Sequence, residues 1–131
     1  MELEATIAPD EEEYYPISLE QEGELCIFSP LPMIKRIVED IHQGELPGVI
    51  SAKFHNSLVQ LFADFCLRLR EETGMEKVAL SGGVFQNMYL LTHLTSRLKQ
   101  LGFQVYTHNQ VPPNDGGLAL GQAVIASYGA D

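Results

Sequence analysis

From Lys77 onward the sequence alternates short apolar runs with longer helical patterns, and each apolar run opens into a glycine-rich turn. Lys77-Val78-Ala79-Leu80 has the length of a short strand and runs straight into Ser81-Gly82-Gly83. The spacing that follows predicts a helix over roughly Phe85 to Gln100, with Leu90, Leu91, Leu94 and Leu98 facing inward. Gly102 stops it, and Gln104 to Thr107 reads as the next strand. The turn-rich stretch Val111-Pro112-Pro113-Asn114-Asp115-Gly116-Gly117 then leads into a last helix over Leu118 to Ser127. Strand, helix, strand, helix implies crossover connections and a parallel pair of strands, which places the chain in the α/β class.

Upstream, Ser29 is a good N-cap with Pro30 at the first helical position, and Met33, Ile34, Ile37, Val38 and Ile41 follow at helical spacing until Gly44. A longer helix after Leu46-Pro47-Gly48 carries Ile50, Phe54, Leu58, Leu61, Phe62, Phe65 and Leu69 on one side and closes at Gly74. Leu25 to Phe28 is a short apolar run of strand type. Residues before it read as irregular or short extended structure, with Met1 to Ala5 as a single helical turn. The division expected is an acidic irregular segment over residues 1–24 and a lobe over residues 25–131.

The chain has 131 residues and a net charge of −10, with acids crowded between Asp10 and Glu13 and between Glu20 and Glu24. That length supports one domain with a modest core. The charge argues against nucleic acid, which needs a basic footprint, and against an anionic membrane surface. No apolar run approaches the roughly 18 residues of a membrane span. Cys26 and Cys66 form no CxxC pair, so a reducing compartment and a cytoplasmic location are expected. A sheet of two or three short strands has unpaired edges, which suits either self-association as a homodimer or a piece of a larger parent.

Two stretches can carry chemistry. A double glycine between strand and helix lets a ligand approach the backbone closely, beside the free N–H groups of a helix start. Gly82 and Gly83 therefore suit a phosphate or the sugar edge of a nucleotide, with Asn87 as an amide donor; a tight turn or close helix packing explains the same glycines equally well. Asp115, beside Gly116, lies on the same edge of the sheet, where it can hold a metal or cap the last helix. One carboxylate does not make a metal site, and no HxxxH or HxH pair accompanies it. His55 reads as a satisfied, partly buried histidine, and His108 ends the last strand facing the same edge. Ser81 lacks a GxSxG elbow and has no obvious Asp and His partners at matching strand ends, so it is not read as a nucleophile.

Taken together, Leu80-Ser81-Gly82-Gly83-Val84-Phe85-Gln86-Asn87 and Pro112-Pro113-Asn114-Asp115-Gly116-Gly117-Leu118-Ala119-Leu120-Gly121-Gln122 resemble the end of HypF-type carbamoyltransferases. Ala52-Lys53-Phe54-His55-Asn56 and Met1-Glu2-Leu3-Glu4-Ala5 are similar to earlier stretches of the same region. Related transferases acting on tRNA or on small molecules share the GGV and Asp-x-Gly elements, but the Phe-Gln-Asn continuation points to HypF. The resemblance implies a partial ribonuclease-H or actin-like ATPase lobe with a few-stranded, mostly parallel sheet packed with helices. It implies a parent that moves a carbamoyl group from carbamoyl adenylate, made from ATP and carbamoyl phosphate, to the C-terminal cysteine of HypE. It further implies nucleotide contacts at Gly82, Gly83, Asn87 and Gly116. Asp115 matches a ligand to a divalent metal (iron, zinc or magnesium). No residue of this chain is assigned as catalytic, and the family's paired histidine ligands do not occur here. The expectation is a chain inactive on its own; a non-catalytic docking module is the contrasting reading.

Overall fold

The computed structural model describes residues 2–22 and 25–128. Met1, which the helical turn was expected to include, and Glu24, at the end of the acidic run, lie outside the described residues. The elements in order are α1 (Glu2–Ala5), β1 (Ser18–Glu22), β2 (Leu25–Ser29), α2 (Leu31–Gln43), α3 (Pro47–Thr73), β3 (Lys77–Leu80), α4 (Met88–Gln100), β4 (Gln104–Thr107) and α5 (Leu118–Tyr128). Short 3-10 turns, Gly83–Gln86 and Asp115–Gly117, precede α4 and α5.

β3 and β4 pair in parallel, with Leu80 beside Thr107, and α4 is the crossover between them. The parallel pair is thus as expected, but among the described residues it is a two-stranded sheet of its own. β1 and β2 form a separate antiparallel ribbon, with Ser18 opposite Ser29. The boundary expected at residue 24 therefore falls between two paired strands. Ser29 is the last residue of β2 rather than a helix cap; α2 starts beyond it, with Pro30 at its N-cap position.

The core lies where α3 and α4 pack on the parallel strands. Val59, Leu80, Leu90, Leu94, Leu98 and Phe103 are buried there, with Leu58, Cys66, Leu67 and Phe85 packed against them. Leu90, Leu94 and Leu98 recur every four residues and so line one face of α4. The helix begins at Met88, later than the spacing suggests, because the Asn87 side chain caps it by accepting from the Leu90 N–H at 2.9 Å.

α3 differs more from its sequence pattern. Its buried residues are Ser51, Ala52, His55, Ser57, Val59 and Ala63, while Phe62 is exposed and the other large apolar residues are half-buried. Ser51, His55, Val59 and Ala63 stand four apart, a single stripe of mostly small residues. Some of the large apolar residues pack outward instead: the Phe65 ring meets Phe28 of β2 edge-on, with centroids 5.1 Å apart. On α2 only Met33 is buried, and Ile34, Val38 and Ile41 remain exposed.

The N-terminal segment is anchored along α3 by polar side chains. Ser51 Oγ donates to the Leu3 carbonyl, and Asn56 Nδ2 donates to the carbonyls of Glu11 and Glu13 at 2.9 and 3.0 Å. The Tyr15 N–H donates to Ser57 Oγ at 2.8 Å, and its hydroxyl donates to Asp40 at 2.7 Å. Burial, with the Asp40 carboxylate next in weight, pushes the Tyr15 hydroxyl well above its ordinary pKa. The acidic side chains Asp10, Glu12 and Glu13 are exposed, as a solvated run should be, but the backbone beneath them is held.

Candidate functional site

The two glycine-rich turns meet at the carboxyl edge of the parallel strands. Gly82 follows β3 with φ 114°, a conformation that side chains rarely adopt. Its N–H donates to the Pro113 carbonyl at 2.7 Å, which ties the turn after β3 to the loop after β4. Ser81, Gly82, His108, Pro112, Asn114 and Asp115 line one side of a cavity of about 380 Å³. Leu118, Gly121, Gln122 and Ile125 of α5 close the other side. This is the edge of an open α/β sheet where ligands settle.

The second loop owes its shape to Asn114. Its Oδ1 accepts from the Gly116 N–H at 3.0 Å and caps the turn that leads into α5. The cap is thus Asn114 rather than Asp115. Among the described residues the Asp115 carboxylate has no hydrogen-bond or ion-pair partner, and it lies in the cavity wall. Gly117 has no room for a side chain: a Cβ there would stand 2.9 Å from the Pro112 carbonyl oxygen. Gly116 is nearly as crowded, with Asn114 Oδ1 3.1 Å from the same position.

Of the residues singled out in the sequence, Gly82, His108 and Asp115 line this cavity together, whereas Gly116 is not among its lining residues. Gly83 adjoins it in the chain, and a Cβ there would meet Asn114 at 3.9 Å, an ordinary contact. Asn87 sits at the far end of the 3-10 turn, and its side chain is used within the protein. Its Oδ1 caps α4, and its Nδ2 lies 2.8 Å from His55 Nε2. His55 is only 3% exposed and is satisfied on both nitrogens, since Nδ1 lies 2.8 Å from the Ser51 carbonyl.

Among the described residues no group of three or more His, Cys, Asp and Glu side chains is placed to hold a metal ion. Asp115 therefore offers a single ligand, and the residues of this chain do not by themselves fit the metal that the resemblance implies. Among the described residues no helix is long and apolar enough to cross a membrane.

One pairing escaped the sequence reading. Ser81 Oγ lies 2.8 Å from His108 Nε2, both at the cavity wall. A histidine does stand at the matching strand end, contrary to the expectation for Ser81. The signal was the parallel register: once Leu80 is set beside Thr107, the next residues of the two strands are neighbours.

The sequence matches, over residues 1–122, the family described as the carbamoyltransferase Kae1-like domain, second subdomain. It is 43% identical over 121 residues to the carbamoyltransferase HypF of Synechocystis sp., covering 92% of this chain and 15% of that protein. It is 45% identical over 84 residues to the HypF of Rhodobacter capsulatus, covering 64% of this chain and 11% of that one. The fold superposes on a crystal structure of full-length HypF in its phosphate- and nucleotide-bound form with a TM-score of 0.91 at 46% identity, covering 95% of this chain and 16% of the other. For the HypF of T. kodakarensis the TM-score is 0.75 at 28% identity.

Proposed function

This chain belongs to the carbamoyltransferase Kae1-like domain family of HypF, as its second subdomain, and on that footing we propose that it forms the nucleotide-facing lobe of a carbamoyltransferase acting on carbamoyl adenylate. It spans 15% of the length of the Synechocystis relative, so it is one part of the catalytic apparatus that such a protein assembles. The acceptor is the C-terminal cysteine thiol of a HypE-type protein, and the chain alone does not turn over.

The observation that carries this reading is the cavity between the two glycine turns. Gly82 brings backbone close to whatever occupies it, and its hydrogen bond to Pro113 fixes the spacing of the two loops. A full-length HypF structure, 16% of which this chain covers, is phosphate- and nucleotide-bound, which supports a nucleotide as a ligand of the whole protein. Among the described residues the cavity wall has one carboxylate and no Lys or Arg, so the wall itself supplies little countercharge to a bound phosphate. That is the physical reason for its inactivity alone: an anionic ligand facing Asp115 without a countercharge is repelled.

The test is carbamoyl transfer to HypE by a full-length HypF carrying this lobe, beside the isolated chain supplied with carbamoyl adenylate. Transfer is expected from the first and not from the second, and Gly82→Val in the full-length protein should abolish it, because a side chain at φ 114° strains the turn that shapes the cavity wall. Turnover by the isolated chain, or undiminished transfer by the Gly82→Val protein, overturns the reading.

A further inference from the structure

The Ser81–His108 pair stands in the cavity wall, and its geometry suits proton transfer. A hydroxyl and an imidazole at 2.8 Å are within the reach expected of an acid–base couple. Both side chains are exposed, so neither is committed to packing, and both reach the cavity wall. The parallel pairing of β3 and β4 sets their separation, and the Gly82–Pro113 hydrogen bond restrains the loops on either side.

We propose that Ser81 and His108 form the proton-accepting relay for the acceptor thiol, with Ser81 meeting the thiol and His108 acting through it. The inference rests on the carbamoyl-transfer reading for the identity of the acceptor. In the step, the thiol sulfur attacks the carbamoyl carbon and an S–C bond forms. The bond from that carbon to the phosphate oxygen breaks, and the nucleotide leaves with the electron pair. The thiol proton passes to Ser81 Oγ as the Ser81 proton passes to His108 Nε2. The products are a thiocarbamate, a nucleoside monophosphate and an imidazolium that later returns its proton to water. No oxidant or further co-reactant is needed. His108 as neutral imidazole accepts from Ser81 through Nε2, which is the nitrogen the structure places against Oγ.

The test uses a full-length HypF carrying this lobe, with His108→Ala and Ser81→Ala, and reads carbamoyl-adenylate formation and transfer to HypE separately. Transfer by His108→Ala should fall by about 10²-fold relative to its adenylate formation, the lower range for loss of a general base. Added imidazole should restore part of that loss, which a merely structural role for His108 does not allow. Ser81→Ala should slow transfer without imidazole rescue, because the bridging hydroxyl is gone. Transfer by His108→Ala at the unsubstituted rate, or a loss that imidazole leaves untouched, overturns the relay. If the unsubstituted protein itself fails to carbamoylate HypE, the functional reading fails instead, and the two failures are distinguishable.

Discussion

Asn87 Nδ2 lies 2.8 Å from His55 Nε2, so a single amide joins the start of α4 to the buried stripe of α3. The arrangement determines both side chains. Asn87 Oδ1 accepts from the Leu90 N–H, which leaves its NH₂ facing the ring. His55 Nε2 must then be the acceptor, and Nδ1 carries the proton that it donates to the Ser51 carbonyl. The expected amide donor to a ligand is in this structure a brace between two helices.

That brace makes Asn87→Ala a stability variant. The substitution removes the α4 cap and leaves a buried ring nitrogen without a donor. Together these should cost about 2–4 kcal/mol. Urea unfolding of the chain should show a lower midpoint with an unchanged slope. An unchanged midpoint together with weaker nucleotide binding would instead place Asn87 among the ligand contacts.

Gly48 decides whether the N-terminal segment stays on α3. A Cβ there would stand 2.6 Å from the Thr6 carbonyl oxygen, and the Gly48 carbonyl accepts from the Ala8 N–H at 3.0 Å. Gly48→Ala should push the segment away while leaving the core helices folded. Hydrogen exchange would report it, as faster exchange at Ala8 and Tyr15 with Leu90 to Leu98 unchanged. Equal protection of Ala8 and Tyr15 in both proteins would show that the contact yields.

The elements from Lys77 onward were legible because their signals are local. A strand-length apolar run, a double glycine and leucines spaced by four each declare themselves within a few residues. α3 was misread for a physical reason. Its large apolar residues drew attention, yet the stripe it buries is Ser51, His55, Val59 and Ala63, where small side chains predominate. The polar members of that stripe are hidden only because partners distant in sequence, Leu3 and Asn87, satisfy them. β1 was legible only as irregular or short extended structure: its Ser-Leu-Glu-Gln-Glu sequence has little strand character, and it is ordered by pairing with β2. In the cavity wall the glycines and Asp115 could be read one by one. The Ser81–His108 contact could not, because it exists only once the register of two strands 27 residues apart is known.

Alkaline pH should weaken the fold through Tyr15. Burial and the Asp40 carboxylate raise its folded pKa above the ordinary 10.0. The folded state therefore keeps a proton that the unfolded state releases. The stabilisation is present in full below pH 10 and is lost as pH rises from there toward the folded pKa. Burial raises the Cys66 thiol and the Tyr89 hydroxyl in the same direction, so the decline should begin near the ordinary thiol value of 9.0. Denaturant unfolding across pH 8 to 11 should show falling stability in the unsubstituted chain and a shallower fall in Tyr15→Phe. A parallel fall in both would assign the alkaline loss to other groups.

The last helix should make the isolated chain self-associate. α5 is apolar, yet none of its residues is buried. Leu118, Gly121, Gln122 and Ile125 face the cavity, whereas Leu120, Val124 and Tyr128 stand four apart on another face, with Tyr128 83% exposed. Contiguous exposed apolar surface marks a site of association, and a second copy of the chain is the apolar surface available in a purified sample. Sedimentation should show a concentration-dependent dimer that Val124→Glu returns to monomer. Because Val124 lies outside both the core and the cavity lining, the substitution should leave the thermal midpoint of the monomer unchanged. A chain that stays monomeric at every concentration would show that the exposed face of α5 is tolerated in water without a partner.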